Sequence, residues 1–305
     1  FNGLQRLSAV DQLPIGNILL ETLSWLSTVL RTRKLPEYYI DGLLDRFGEL
    51  IEGNVPEDQR GDFTGHFNKA VSVWKQRGVE SHSFIDRQDV LGALASNYLD
   101  AVLDAKRNEA RKLIMDAVEE AGTSVKDIYI KVFQAAQYEI GRLWQLNEIS
   151  VAQEHYSTAV TQMIMSQLYP YIFGNDKKGK RMVAACVGRE LHEIGIRMVA
   201  DFFEMEGWDT YYLGADVPGE DLIRELEDKK PHVLSLSVTM TVNLTLLEDI
   251  IDSIRKRNEF DDLKILVGGY PFQVSQTLWK EMGANGFAPD AGKAISIAEE
   301  QTRNS

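Results

Sequence analysis

The hydrophobic period of this chain changes once, near residue 180, and that change limits the folds open to it. Up to Phe173 apolar residues return every three or four positions; from Met182 onward they collect into short runs separated by helical stripes. A stripe of period 3.6 is buried by packing helix against helix. Short β-branched runs alternating with helices require crossover connections and a parallel sheet. A helical first part followed by an α/β part is therefore expected.

Within that outline three units can be drawn. In residues 1–88, Leu19, Leu23, Leu26 and Leu30 form a stripe behind Asn17, a capping residue type. Leu43, Phe47, Leu50 and Ile51 form a second stripe, and Phe63, Phe67, Val71 and Trp74 a third, with breaks at Gly53 to Pro56 and Gly78 to Ser83. No catalytic motif falls here, and His66 and His82 stand apart from other ligand-type residues. Four further stripes, starting at Val90, Ala110, Val125 and Val151, predict a four-helix bundle over 89–173. The basic loop GNDKKGKRM, 174–182, reads as the linker. In 182–305 the runs MVAACV (182–187), TYYLG (210–214), VLSLSV (233–238) and KILVGG (264–269) predict four strands of a flavodoxin-like, doubly wound parallel sheet. Such a sheet takes its ligand at the carboxyl ends of its strands.

Charge and cysteine usage narrow the function. The 305 residues carry 46 acidic against 33 basic side chains, a net charge of −13, and the first 90 residues hold no basic cluster, so direct binding to nucleic acid is not expected. One cysteine, Cys186, excludes a disulfide framework and suggests a reducing, cytoplasmic setting. Residues 1–17 lack a charged-then-apolar leader pattern, and no apolar run is long enough to span a bilayer. The loops for dinucleotides and nucleoside triphosphates and the H-E-x-x-H zinc motif are all missing, so no catalytic residue set is assigned and no turnover is expected.

The residues with chemical character fall where the first, third and fourth strands end. Directly after the first comes GRELHEIG, in which Glu190, His192 and Gly195 have the spacing E-x-H-x-x-G. A carboxylate that fixes the tautomer of an imidazole is what a metal-ligating histidine needs. Ser235, Ser237 and Thr239 close the third strand and Gly268-Gly269 the fourth, where hydroxyls and missing side chains would open a slot.

In this order these residues resemble the cobalamin-binding Rossmann domain of methionine synthase and other corrinoid proteins. The resemblance implies His192 as the lower axial ligand of cobalt, Glu190 as the carboxylate behind it, and Gly195, Ser235, Ser237, Gly268 and Gly269 along the channel for the nucleotide tail. It carries Glu190 where the family usually has Asp; either carboxylate accepts the imidazole N–H. The preceding segment LWQLNEISVAQEHYS has Trp144 nine residues ahead of Glu154-His155, a W-x9-EH pattern similar to that of CarH-type cobalamin photoreceptors. That likeness implies that Trp144, Val151, Glu154 and His155 cap the upper face of adenosylcobalamin. Two departures accompany it: Gln145 stands where a histidine takes the vacated cobalt face after illumination, and the basic DNA-binding domain is absent.

The function expected from the resemblance is an adenosylcobalamin light sensor that signals to a protein partner, with association between copies left open. A variant resembling the photocobilins adds a bilin, biliverdin, against the aromatics Trp25, Tyr38, Tyr39, Phe63, Phe67 and Trp74. The alternative is a corrinoid methyl carrier of a methyltransferase system, which also places a helix bundle ahead of the same Rossmann domain. A third reading is a protein-interaction scaffold without cofactor.

Overall fold

A computed structural model describes residues 14–303 except Glu37, Pro56, 77–81 and Asn175. The start of the chain and most of the break at Gly78 to Ser83 thus lie outside the described residues. The first helix, α1, is Pro14–Thr32. It includes Asn17, which therefore lies inside the helix and is not its cap. After it come α2, Tyr38–Asn54, and α3, Glu57–Gln76. Leu23, Ile40, Leu44 and Trp74 are buried at their junction, with Leu19, Leu30, Phe67 and Val71 packed around them.

Four helices follow: α4 is Val90–Leu103, α5 is Arg107–Glu119, α6 runs 125–145 and α7 is Val151–Gln167. Asp89 caps α4 by accepting from the Leu91 and Gly92 N–H groups, and Ser150 with Gln153 forms a capping box on α7. Within α6, Ile128–Gln134 is wound as π-helix. Tyr98, Tyr129, Phe133, Ile114 and Ile164 are fully buried at the centre.

The sheet contains β1, Arg181–Val187; β2, Asp209–Val217; β3, Val233–Ser237; β4, Lys264–Gly268; and β5, Gly286–Phe287. All pairs are parallel in the order β2-β1-β3-β4-β5, the flavodoxin-like order. The four strands expected are thus five among the described residues; β5 has two residues, too few to show a period. Both faces are covered by α8, Ile194–Met205; α9, Gly219–Lys229; α10, Leu244–Arg255; α11, Tyr270–Val274; α12, Leu278–Glu281; and α13, Ala291–Gln301. Alternate residues of β1 enter different clusters: Val183, Ala185 and Val187 join α9 and α10, while Met182, Ala184 and Cys186 join α8 and α13. Burial on both faces explains why the strand reads as an unbroken apolar run.

The bundle and the sheet share one interior. Met198, Phe202 and Ala291 belong to the same buried cluster as the bundle's Tyr129 and Phe133. The basic loop is pinned rather than free: Lys177 pairs with Glu204 and Asp209, Lys178 with Glu206 and Glu299, and Lys180 with Glu299.

At the junction the Tyr129 hydroxyl donates to Asp201 Oδ2 at 2.8 Å. Burial raises the Asp201 carboxyl to about 6, against the lowering effects of Tyr129 and the Arg197 cation, while Glu204 adds to the rise. A carboxyl whose folded pKa lies above its unfolded value holds extra protons in the native state between roughly pH 4 and 6. Stability is therefore lost as pH rises through that window, by up to about 3 kcal/mol. Asp201→Asn keeps the acceptor for Tyr129 and removes the charge. Urea melts at pH 4.5 and 7.5 should show the variant gaining on the wild type at the higher pH; an equal difference at both would contradict this account.

Candidate functional site

The sheet order changes direction between β1 and β3, which opens a crevice at their carboxyl ends. The turn after β1 enters it through Arg189, whose φ is 66° and whose N–H donates to Asp216 Oδ1 at 2.6 Å. That turn carries Glu190 inward and His192 outward: the Glu190 side chain is fully buried and the His192 side chain is 57% exposed.

Glu190 is held from two loops. Its Oε1 accepts from His192 Nδ1 at 2.5 Å and from the His192 backbone N–H at 3.2 Å. Its Oε2 accepts from the Thr239 and Met240 N–H groups, each at 2.9 Å, and from Asn243 Nδ2 at 3.1 Å. Burial works to raise the Glu190 pKa, but the hydrogen bonds from His192, Met240 and Thr239 outweigh it and hold the carboxyl at about 2. The hydrogen bond that the imidazole donates to Glu190 raises the His192 pKa in turn, against burial, with the charges of Glu190 and Glu154 adding to it. Because Nδ1 carries the proton that Glu190 accepts, the neutral ring presents its Nε2 lone pair outward. Among the described residues Nε2 has no hydrogen-bond partner. Cys186 is no rival ligand, since burial, followed by the nearby carboxylates of Glu190 and Glu193, pushes its thiol well above the usual range.

The other sequence-derived positions divide into two groups. Ser235 and Ser237 are buried in β3, opposite Leu266 and Gly268 of β4, and Ser235 Oγ has no hydrogen-bond partner among the described residues. A side chain at Gly195 would meet open space, so a bulky group can come close to the first turn of α8. The glycines at the end of β4 also answer to backbone packing. A Cβ on Gly269, at φ +108°, would lie 1.8 Å from the Val238 carbonyl oxygen, and one on Gly268 would lie 3.3 Å from that of Ala288. At Gly269 the close approach of neighbouring backbone requires glycine with or without a ligand, whereas at Gly268 the contact is merely tight.

On the bundle side, Val151 is exposed at the start of α7. Glu154 there accepts from His155 Nδ1 at 2.5 Å and Thr158 Oγ1 at 3.2 Å, leaving His155 on the surface. This helix faces the β1 loop: Gln162 Nε2 donates to Glu193 Oε1 at 2.7 Å. At the other wall Gln273 Nε2 reaches the Tyr138 hydroxyl of α6 at 3.4 Å. Leu191, Met240, Val242 and Tyr270 form an exposed apolar rim on the sheet domain, and such rims mark binding sites more often than bare surface.

Trp144 is not the bare aromatic plate that the motif suggested. Its ring stacks on Trp25 with centroids 6.1 Å apart, and the Arg33 guanidinium lies 4.7 Å over it. The aromatics expected beside a bilin are dispersed: Phe63 and Trp74 are buried, Phe67 stacks on Phe47, and Tyr38 and Tyr39 stack on each other at the surface. Asn243 and Arg33 went unrecognised in the sequence, and Trp25 was read only as an aromatic beside a bilin, for their partners lie 53, 111 and 119 positions away and no local spacing connects them.

Comparison with known proteins corrects the functional expectation. Residues 180–296 match a family model described as a B12 binding domain, and residues 94–169 match a second model with the same description. Monomethylamine corrinoid protein 1 of Methanosarcina mazei is 30% identical over 194 residues, 61% of this chain and 87% of that protein. Dimethylamine corrinoid protein 3 of Methanosarcina acetivorans is 26% identical over 208 residues, 66% of this chain and 93% of that protein. The solved monomethylamine corrinoid protein of Methanosarcina barkeri superposes with a TM-score of 0.62 at 25% identity, over 70% of this chain and 99% of that one. The expectation of a light-sensing, CarH-type receptor is overturned by these relatives, which are named as methylamine corrinoid proteins. E-x-H-x-x-G was expected of every cobalamin domain of this kind and does not separate sensor from carrier, and Trp144 is half-buried against Trp25 and Arg33.

Proposed function

The chain belongs to the corrinoid proteins, and we propose that within them it is a methyl carrier, receiving a methyl group from one methyltransferase partner and surrendering it to another. What supports this reading is that a single chain spans nearly the whole of the methylamine corrinoid proteins, with Glu190 and His192 at the sheet's switch point. The donor set fits a corrinoid. The outward Nε2 of His192 suits cobalt as an imidazole ligand, and the unpartnered Ser235 Oγ lies where a polar nucleotide tail would give it a partner. Ser237 and the open space at Gly195 complete that channel.

When bound, the corrinoid supplies the cobalt to which a methyl group attaches. The protein's own residues position it and tune it. Glu190 keeps the proton on Nδ1, so Nε2 remains a lone-pair donor, and it ties the β1 loop to the β3 loop through Thr239, Met240 and Asn243. The ring is thereby held with little freedom to turn away from the metal. The exposed Leu191, Met240 and Val242 offer apolar contact to a flat macrocycle. No side chain is assigned to bond-breaking in a substrate; that chemistry falls to the methyltransferases.

The test is transfer. The purified chain loaded with methylcobalamin and mixed with a corrinoid-dependent methyltransferase and its thiol acceptor should lose the absorbance of the methylated cofactor and form the methyl thioether. Retention of the methyl group with every methyltransferase offered would overturn the carrier reading.

A further inference from the structure

The two B12-binding regions begin at residue 94, and the Methanosarcina barkeri structure, covered almost completely, accounts for 70% of this chain. Helices α1 to α3 are thus additional to the shared part. Where α1 lies is informative. Near its start Ile18 packs on the buried cluster of the sheet domain, and Glu21 Oε2 accepts from the Tyr270 hydroxyl at 3.2 Å. Tyr270 directly follows Gly269, on the rim of the crevice. Toward its end Trp25 stacks on Trp144, Thr32 Oγ1 donates to the Gln145 carbonyl at 3.0 Å, and just beyond it Arg33 Nη2 donates to the Trp144 carbonyl at 3.1 Å. From Ile18 to Thr32 a helix extends about 20 Å. One helix therefore runs from the sheet's ligand-binding edge to the end of bundle helix α6.

A methyl carrier must admit its partner to the cobalt face opposite His192, on the side where the bundle meets the crevice. We infer that α1 is a built-in cover for that face: fastened at Tyr270 and at Trp144–Gln145, it closes the approach to the cofactor and has to lift before a methyltransferase can reach the metal. This rests on the corrinoid reading given above. The fastenings suit a part that comes away, because Trp25 and Tyr270 are exposed and the contacts at the Trp144 end are one ring stack, the Arg33 guanidinium over the same ring and a few hydrogen bonds. Such contacts are drawn from the low-stability end of a structure.

The inference can be tested without any methyltransferase. Full-length protein loaded with aquocobalamin is mixed with cyanide, a small ligand that enters the open cobalt face and changes the absorbance. In one variant Glu21→Cys and Tyr270→Cys are joined by a short bis-maleimide; the chain's own Cys186 is buried and stays unreacted. The joined protein should take up cyanide at least tenfold more slowly than the same variant treated with a mono-maleimide. Trp25→Ala with Arg33→Ala should take it up at least fivefold faster than wild type. Equal rates in the joined and unjoined protein would overturn the cover alone. Failure of the wild type to retain aquocobalamin would overturn the corrinoid reading and the cover with it.

Discussion

Glu190→Ala will destabilise the protein by about 3–5 kcal/mol in urea unfolding, with a fall in Tm on the order of 10 °C. The reason is the number of donors that converge on one buried carboxylate. The Thr239 and Met240 N–H groups and the Asn243 amide all end on Oε2, and removing it leaves the buried amide and two part-buried N–H groups with no acceptor. The loops after β1 and β3 would also lose the group that joins them, so the cost falls on the fold as well as on the site. Glu190→Gln retains one oxygen and should lose less than half as much. A loss below about 1 kcal/mol for the alanine variant would mean that water or a local shift readily replaces the carboxylate.

His192→Ala separates binding from folding. Its ring is largely exposed and is anchored by one hydrogen bond, so stability should change by no more than about 0.5 kcal/mol. With His192 as the proposed lower ligand, its loss should weaken corrinoid retention by at least about tenfold and change the visible spectrum of what remains bound. Titration with aquocobalamin followed by absorbance measures both. The same affinity and spectrum as wild type would remove His192 from the metal and leave the crevice without a ligand.

Much of the architecture was legible because periodicity is a local property. The alternation of apolar runs and helical stripes after residue 180 marks the parallel sheet. The spacing of Glu190 and His192 was legible for the same reason, since two residues in one turn meet whatever surrounds them. The W-x9-EH segment misled because identity at the end of a helix does not reveal which of its faces is free. Trp144 meets Trp25 and Arg33 only when a helix more than a hundred positions away lies against it. The packing demand at Gly269 was not legible for a related reason: the Val238 carbonyl that forbids a side chain there follows the neighbouring strand β3.

By itself the sequence determined the change from helical to α/β architecture, the place of the β1 turn and the pairing of a carboxylate with a histidine there. Each depends on residues within a few positions of one another, where covalent geometry does the arranging. Tertiary structure alone decided that this carboxylate is buried under donors from the β3 loop, that Ser235 is left without a partner, and that α1 spans from the crevice rim to Trp144. Those features arise from backbone and side chains brought together across fifty to two hundred and fifty positions, and no spacing along the chain records them.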